Sequence, residues 1–156
     1  MGHGPIFRDL NFSMDPESVR LIQQMELPIT LIPYDAAHRI IITADDLENL
    51  GKRGGVYRWL AERTRGWLVF WNVDVGQPGF YPFDWVASAY LMRPELFDCT
   101  ITKARIDREW AFWVYPRTAL LVEPALQEEE GSTTGVLYCP KTSPVLHEYL
   151  MAVKFS

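Results

Sequence analysis

The side chains that could carry out catalysis or bind a metal ion are few and widely spaced in this sequence. The three histidines, His3, His38 and His147, stand far apart, so a surface or structural role explains each better than a ligand role. A Cys–His nucleophile pair stays open, although no local pattern supports one. The sequence contains no GxGxxG, Walker, HExxH or GxSxG motif. Spacing alone therefore indicates only an α/β domain.

Acidic, amide and aromatic residues instead fall into ordered blocks. Residues 9–17 (DLNFSMDPE) precede an apolar, strand-like segment at 27–35 (LPITLIPYD). A helix start follows at 43–47 (TADDL), and residues 81–91 (YPFDWVASAYL) lead into 94–97 (PELF). Taken by itself, an Asp after a proline-rich loop is best explained as a helix N-cap, and an Asn in a loop as a turn residue.

Together, these blocks resemble the C-terminal half of the inosine-uridine preferring nucleoside hydrolases. That family has an acid-aromatic-Asn-x-x-x-Asp-Pro-Glu motif, a Leu-Pro-Ile-Thr strand, a Thr-x-x-Asp-Leu helix start and an Asp-x-x-Ala-x-Ala-Tyr helix leading into Pro-Glu-Leu-Phe. The resemblance implies an α/β fold, the C-terminal part of a nucleoside-hydrolase-like mixed sheet flanked by helices. It further implies that residues 1–156 form a single, partial domain.

The resemblance also implies a chemistry. Members of the family hydrolyse the N-glycosidic bond of ribonucleosides to ribose and free base, with a bound Ca²⁺ that holds the ribose hydroxyls and the attacking water. By resemblance, Asp84 is a Ca²⁺ ligand that also faces the ribose, and Asn11 and Asp9 contact the ribose. Asp9 stands where the family usually has Glu. The segment that contains Trp71 would lie near the base, and core packing explains its aromatic residues equally well: Trp67, Phe70 and Trp71.

Two departures from the family pattern bear on activity. Phe83 stands where many members have a histidine, a candidate acid for protonating the leaving base, and a phenyl ring cannot donate a proton. The family's N-terminal Asp cluster is also missing, and the adjacent acids Asp45 and Asp46 look like the first turn of a helix. Because Ca²⁺ takes about six to eight oxygen ligands, Asp84 alone predicts weak Ca²⁺ binding and no hydrolysis by this chain alone. A gene fragment, one half of a two-chain enzyme, a non-enzymatic binding protein and a scaffold without a ligand stay open.

Composition narrows the range of partners. The net charge of −5 and pI of about 5.2 offer no basic face for nucleic acid or a membrane surface. The densest apolar stretch, residues 67–71, is too short to span a bilayer. Cys99 and Cys139 form no disulfide framework and are expected to be thiols in a reducing, cytoplasmic setting. The resemblance, and not the composition, implies the expected partners: a ribonucleoside substrate and either an N-terminal half or a second copy of the chain.

Periodicity, caps and breakers predict the elements that would position these residues. Residues 29–32 are apolar on both faces, which favours a central strand and, in the absence of neighbouring strands, self-association. The predicted helices cover residues 16–26, 43–50, 56–73 with an interruption or bend near Gly66, 84–92 and 143–153. Further strands are predicted at residues 100–106, 109–114, 118–122 and 136–138.

Overall fold

The computed structural model describes residues 12, 14–25, 27–111, 115–122 and 134–154. The chain divides into two compact units. Unit 1 comprises Met1–Asp35 with Asp98–Lys141, and unit 2 comprises Ala36–Phe97 with Thr142–Ser156. None of the helices in the described ranges combines the length and apolar character that a membrane crossing requires.

Unit 1 contains one helix and a mixed four-stranded sheet. Helix α1 (Pro16–Gln24) begins where predicted, because the Asp15 carboxylate accepts a hydrogen bond from the Ser18 amide at 3.0 Å. The strand order is β1-β6-β4-β5, with β1 parallel to β6 and β4 antiparallel to β5. These strands have the following bounds: β1 Thr30–Leu31, β4 Phe97–Ala111, β5 Tyr115–Val122 and β6 Thr134–Thr142.

Two strand predictions in unit 1 are wrong. Strand β1 lies at the end of the strand order among the described residues, and not in the middle of the sheet. The segment predicted at 100–106 and the described part of the one predicted at 109–114, residues 109–111, belong to one strand, β4, because β5 pairs with it without a break from Ala104 to Ala111. The alternation of apolar and polar residues is interrupted at residues 107 and 108, between the two predicted segments. The backbone pairing of β4 with β5 continues through these residues, so the two segments form one strand.

The core of unit 1 is small and aliphatic. Ala104, Leu120 and Val136 are buried on strands β4, β5 and β6, and partly buried Ile29 and Leu31 pack against them. On the α1 side, the Gln23 side chain donates a hydrogen bond to the Ala104 carbonyl at 3.3 Å.

A disulfide joins Cys99 on β4 to Cys139 on β6, so the prediction of two free thiols is wrong. The two cysteines are 40 residues apart in sequence, but they lie on strands that are neighbours in the sheet. With the disulfide formed, the thiol-based argument for a reducing compartment no longer applies.

Unit 2 is mainly helical. Short strands β2 (Ile42–Thr43) and β3 (Gly79–Phe80) pair antiparallel. Gly79 is required there by close approach, because a Cβ atom at this position would press on the Ile42 carbonyl and come within 2.7 Å of the Ile41 side chain. Helix α2 (Tyr34–Ala37) begins with the last two residues of the first segment of unit 1 and ends in unit 2. The other helices have the following bounds: α3 Ala44–Lys52, α4 Gly55–Val73, α5 Phe83–Met92 and α6 Leu146–Ala152, with a 3₁₀ turn at Pro94–Leu96.

Local signals explain where the helices of unit 2 begin. The Thr43 hydroxyl accepts a hydrogen bond from the Asp46 amide, and the Asp46 carboxylate accepts from the Thr43 amide, which confirms the predicted start of α3. Gly54, the N-cap of α4, and Gly55, its first residue, both have positive φ angles, which let the chain turn between α3 and α4. The predicted interruption near Gly66 is wrong, since α4 runs unbroken through it and one interior glycine costs only about 1 kcal/mol.

Candidate functional site

A pocket of about 710 Å³ lies within unit 2, beside the start of helix α5. Its volume is in the range of about 300–1,000 Å³ that is typical of sites for small organic ligands. The lining is mostly apolar and comes from three helices (α3, α4 and α5), from strand β3, from the turn before α5 and from the segment after α6. The lining residues are Leu47, Leu50, Leu60, Thr64, Trp67, Phe80, Tyr81, Pro82, Phe83, Asp84, Trp85, Ser88, Met92, Val153 and Lys154.

Asp84 borders this pocket, but it does not cap the helix. Pro82 is the N-cap of α5, so Asp84 is the second helical residue and the N-cap interpretation is wrong. Its side chain is exposed, and its backbone carbonyl accepts a hydrogen bond from the Ser88 hydroxyl at 2.8 Å. A carboxylate in the first turn is stabilised by the positive end of the helix dipole. Among the described residues the Asp84 carboxylate has no hydrogen-bond or ion-pair partner, so it is accessible to a ligand.

Aromatic rings connect the core of unit 2 to the pocket wall. Trp71 is only 2% exposed and meets the Tyr81 ring edge-on, with 4.8 Å between ring centroids. The ring centroid of Trp67 also lies 6.0 Å from that of Trp71, and the ring centroids of Tyr81 and Phe83 are 5.9 Å apart. Trp67, Tyr81 and Phe83 line the pocket, whereas Trp71 supports them from behind. The structure thus places Trp71 in the core, and its predicted contact with a substrate stays a prediction.

The other two predicted ribose contacts, Asp9 and Asn11, lie outside the described residues. Sequence reasoning did not identify Thr64, Val153 or Lys154 as pocket residues. Nothing local distinguishes Val153 and Lys154, because they reach the wall only when α6 packs beside α5. Tyr81 could have been predicted more easily, because it belongs to the same block of sequence, residues 81–91, as Asp84.

The described residues do not by themselves fit a calcium ion. In those ranges, no three His, Cys, Asp or Glu side chains come together as a metal cluster. Asp84 can supply at most two carboxylate oxygens, whereas Ca²⁺ takes about six to eight oxygen ligands. A calcium site that includes Asp84 would therefore need ligands beyond the described residues.

Comparison with known proteins gives a match in structure alone. No family model matches the sequence. No curated protein matches it either. A solved plant nucleoside hydrolase, the PpNRh1 enzyme, is similar in structure, with a TM-score of 0.71 over 90% of this chain and 15% sequence identity. The chain has a nucleoside-hydrolase-like fold. It spans 45% of the length of that plant enzyme.

The nucleoside-hydrolase-like fold confirms the fold class predicted from the ordered blocks. At 15% identity the likeness concerns the fold, so the inosine-uridine preference stays a prediction. Within this fold, Asp84 is the predicted site residue that the structure places on a pocket wall.

Proposed function

We propose that the chain forms part of a nucleoside hydrolase that cleaves the N-glycosidic bond of ribonucleosides to give ribose and free base. The observation that carries this proposal is the accessible Asp84 carboxylate on an aromatic-walled pocket, in a chain with a nucleoside-hydrolase-like fold. A ribonucleoside presents hydroxyl donors at one end and a flat apolar base at the other. A carboxylate accepts hydrogen bonds from the hydroxyls, and aromatic side chains pack against the base.

The chain's own residues support binding and charge stabilisation. N-glycosidic cleavage passes through a sugar with oxocarbenium character, and a fixed carboxylate nearby stabilises this positive charge. Asp84 would accept from the ribose hydroxyls and supply that negative charge. The wall formed by Trp67, Tyr81 and Phe83 would exclude water from the base. A preference for inosine and uridine, and a calcium site completed by ligands beyond the described residues, belong to the same proposal.

A binding protein without turnover is the second candidate. It is favoured by the fact that, among the residues the structure describes, those that line the pocket all belong to unit 2. Proton donation to the leaving base also needs a group other than Phe83. Under this alternative the pocket binds a nucleoside and the glycosidic bond stays intact.

The proposal is tested by titration calorimetry of the purified chain with inosine, uridine and ribose. A hydrogen bond to a charged group contributes about 1.5–3 kcal/mol, so Asp84→Asn should weaken nucleoside binding by about tenfold or more. Asp45→Asn is the matched control, because Asp45 is also exposed and is also the second residue of its helix, α3. Asp45 does not line the pocket, and its substitution should leave the affinity unchanged.

The outcomes separate the two candidates. Absence of binding for all three compounds would overturn the nucleoside proposal in both forms. Equal affinities in the wild type and Asp84→Asn would remove Asp84 from the site. Release of free base by the chain alone, lost in Asp84→Asn, would show that the chain contains a complete active site and that the prediction of inactivity is wrong.

A further inference from the structure

Arg53 connects the end of one helix to the end of another within unit 2. It directly follows α3, and its guanidinium donates hydrogen bonds to the Met151 carbonyl at 2.8 Å and to the Val153 carbonyl at 2.7 Å. The same guanidinium lies over the Tyr57 ring, 3.7 Å from its centroid. A planar fork of donors suits two neighbouring carbonyls at a helix end, and stacking on an aromatic ring holds the fork in place.

Of the two carbonyls that Arg53 binds, the Met151 carbonyl belongs to the last turn of α6 and the Val153 carbonyl belongs to the segment that lines the pocket. Val153 and Lys154 follow α6 directly and line the pocket, and Leu47 and Leu50 of α3 line it as well. Arg53 itself does not line the pocket. It therefore joins two parts of the wall from outside.

The opposite end of α6 has a contact of its own with α3. His147 Nε2 lies 3.4 Å from the Asp46 carboxylate, which is already fixed by its hydrogen bonds with Thr43. Helix α6 is thus attached to α3 near both of its ends. The Arg53 contact is the one next to the pocket.

We propose that Arg53 is a positioning residue for the pocket: it fixes the Val153–Lys154 segment and thereby holds Lys154 in the lining of the pocket that Asp84 also borders. The pocket then offers an acceptor at Asp84 and a donor at Lys154. This arrangement suits a ligand that carries hydroxyl donors together with acceptor atoms. The inference concerns the shape of the pocket and holds whether a ligand is hydrolysed or only bound.

Residue-resolved amide hydrogen exchange by NMR on the ligand-free chain tests the proposal. The Val153 amide donates to the Leu150 carbonyl, so its exchange reports on the segment. Arg53→Gln removes the two hydrogen bonds that the charged guanidinium donates. Amide exchange at Val153 should therefore become about tenfold faster. Arg53→Lys retains one donor and should give an intermediate rate. Arg58→Gln, an exposed arginine on α4, is the control and should change nothing.

Inosine affinity of the same variants gives the second readout. Affinity should fall in the order wild type, Arg53→Lys, Arg53→Gln, at a temperature where all are folded. Unchanged Val153 exchange in Arg53→Gln would overturn the proposal, and so would exchange that increases equally throughout unit 2, because that would indicate a general loss of stability. If wild type does not bind inosine, the proposed function fails, whereas the exchange result still decides the role of Arg53.

Discussion

Each of the two compact units of the chain is stabilised by a different kind of internal contact. In unit 1, the Cys99–Cys139 disulfide fastens two strands beside a small aliphatic core. Unit 2 is stabilised by packed aromatic rings around Trp71 and by side-chain contacts at helix ends. The candidate pocket is built on the second kind of structure, and its wall uses rings that also pack against the core. Changes to the core of unit 2 should therefore reach the pocket, and changes to the core of unit 1 should not.

Replacing Trp71 is the largest expected effect. Truncation of a fully buried aromatic residue costs about 3–5 kcal/mol, so Trp71→Ala should lower the free energy of unfolding of unit 2 by about that amount. Urea denaturation followed by amide exchange measures it. Trp59→Ala is the control, because Trp59 lies on the same helix, is 56% exposed and should cost below about 1 kcal/mol. Similar costs for both variants would contradict the aromatic-core account of unit 2.

Removing the disulfide should cause the second-largest loss of stability. A disulfide that closes a loop of 40 residues stabilises a protein by about 2–4 kcal/mol. The double variant Cys99→Ser, Cys139→Ser should therefore lose about that much stability, with faster amide exchange in β4 and β6. Wild type treated with a dithiol reductant should behave in the same way, because both treatments remove one S–S bond. If α3 and α4 loosened as much as the strands, the separate means of stabilisation inferred here would be wrong.

The same contrast explains which features could be predicted from the sequence. The starts of α1 and α3 were predictable, because the Asp15 and Thr43 side chains cap amides only three residues away. The disulfide was not, because the adjacency of β4 and β6 is a property of the whole sheet. Asp84 could be identified within a block of neighbouring residues. Its pocket partner Lys154 could not, because the packing of α6 brings it there.

The smallest expected effect depends on pH and involves Asp46 in unit 2. Partial burial acts to raise the pKa of the Asp46 carboxyl, but hydrogen bonds from Thr43 and the nearby His147 outweigh it, so this pKa lies below its ordinary value. A lowered pKa in the folded state stabilises the fold above the ordinary Asp pKa of about 3.9. That stabilisation is lost as the pH falls through the lower, folded-state value.

Asp46→Asn tests this contribution. At pH 7 the variant should be less stable than wild type by up to about 1 kcal/mol, and the difference should shrink as the pH falls from about 4 to 2. His147→Gln should reproduce only a minor part of the loss, because the Thr43 hydrogen bonds lower the pKa of Asp46 more than the His147 side chain does. Asp15→Asn, which removes the ionisable charge of an exposed N-cap in unit 1 but keeps an oxygen that can cap the helix, should show a smaller difference. If the difference in stability between wild type and Asp46→Asn persisted at pH 2, ionisation of the Asp46 carboxylate could not be its cause.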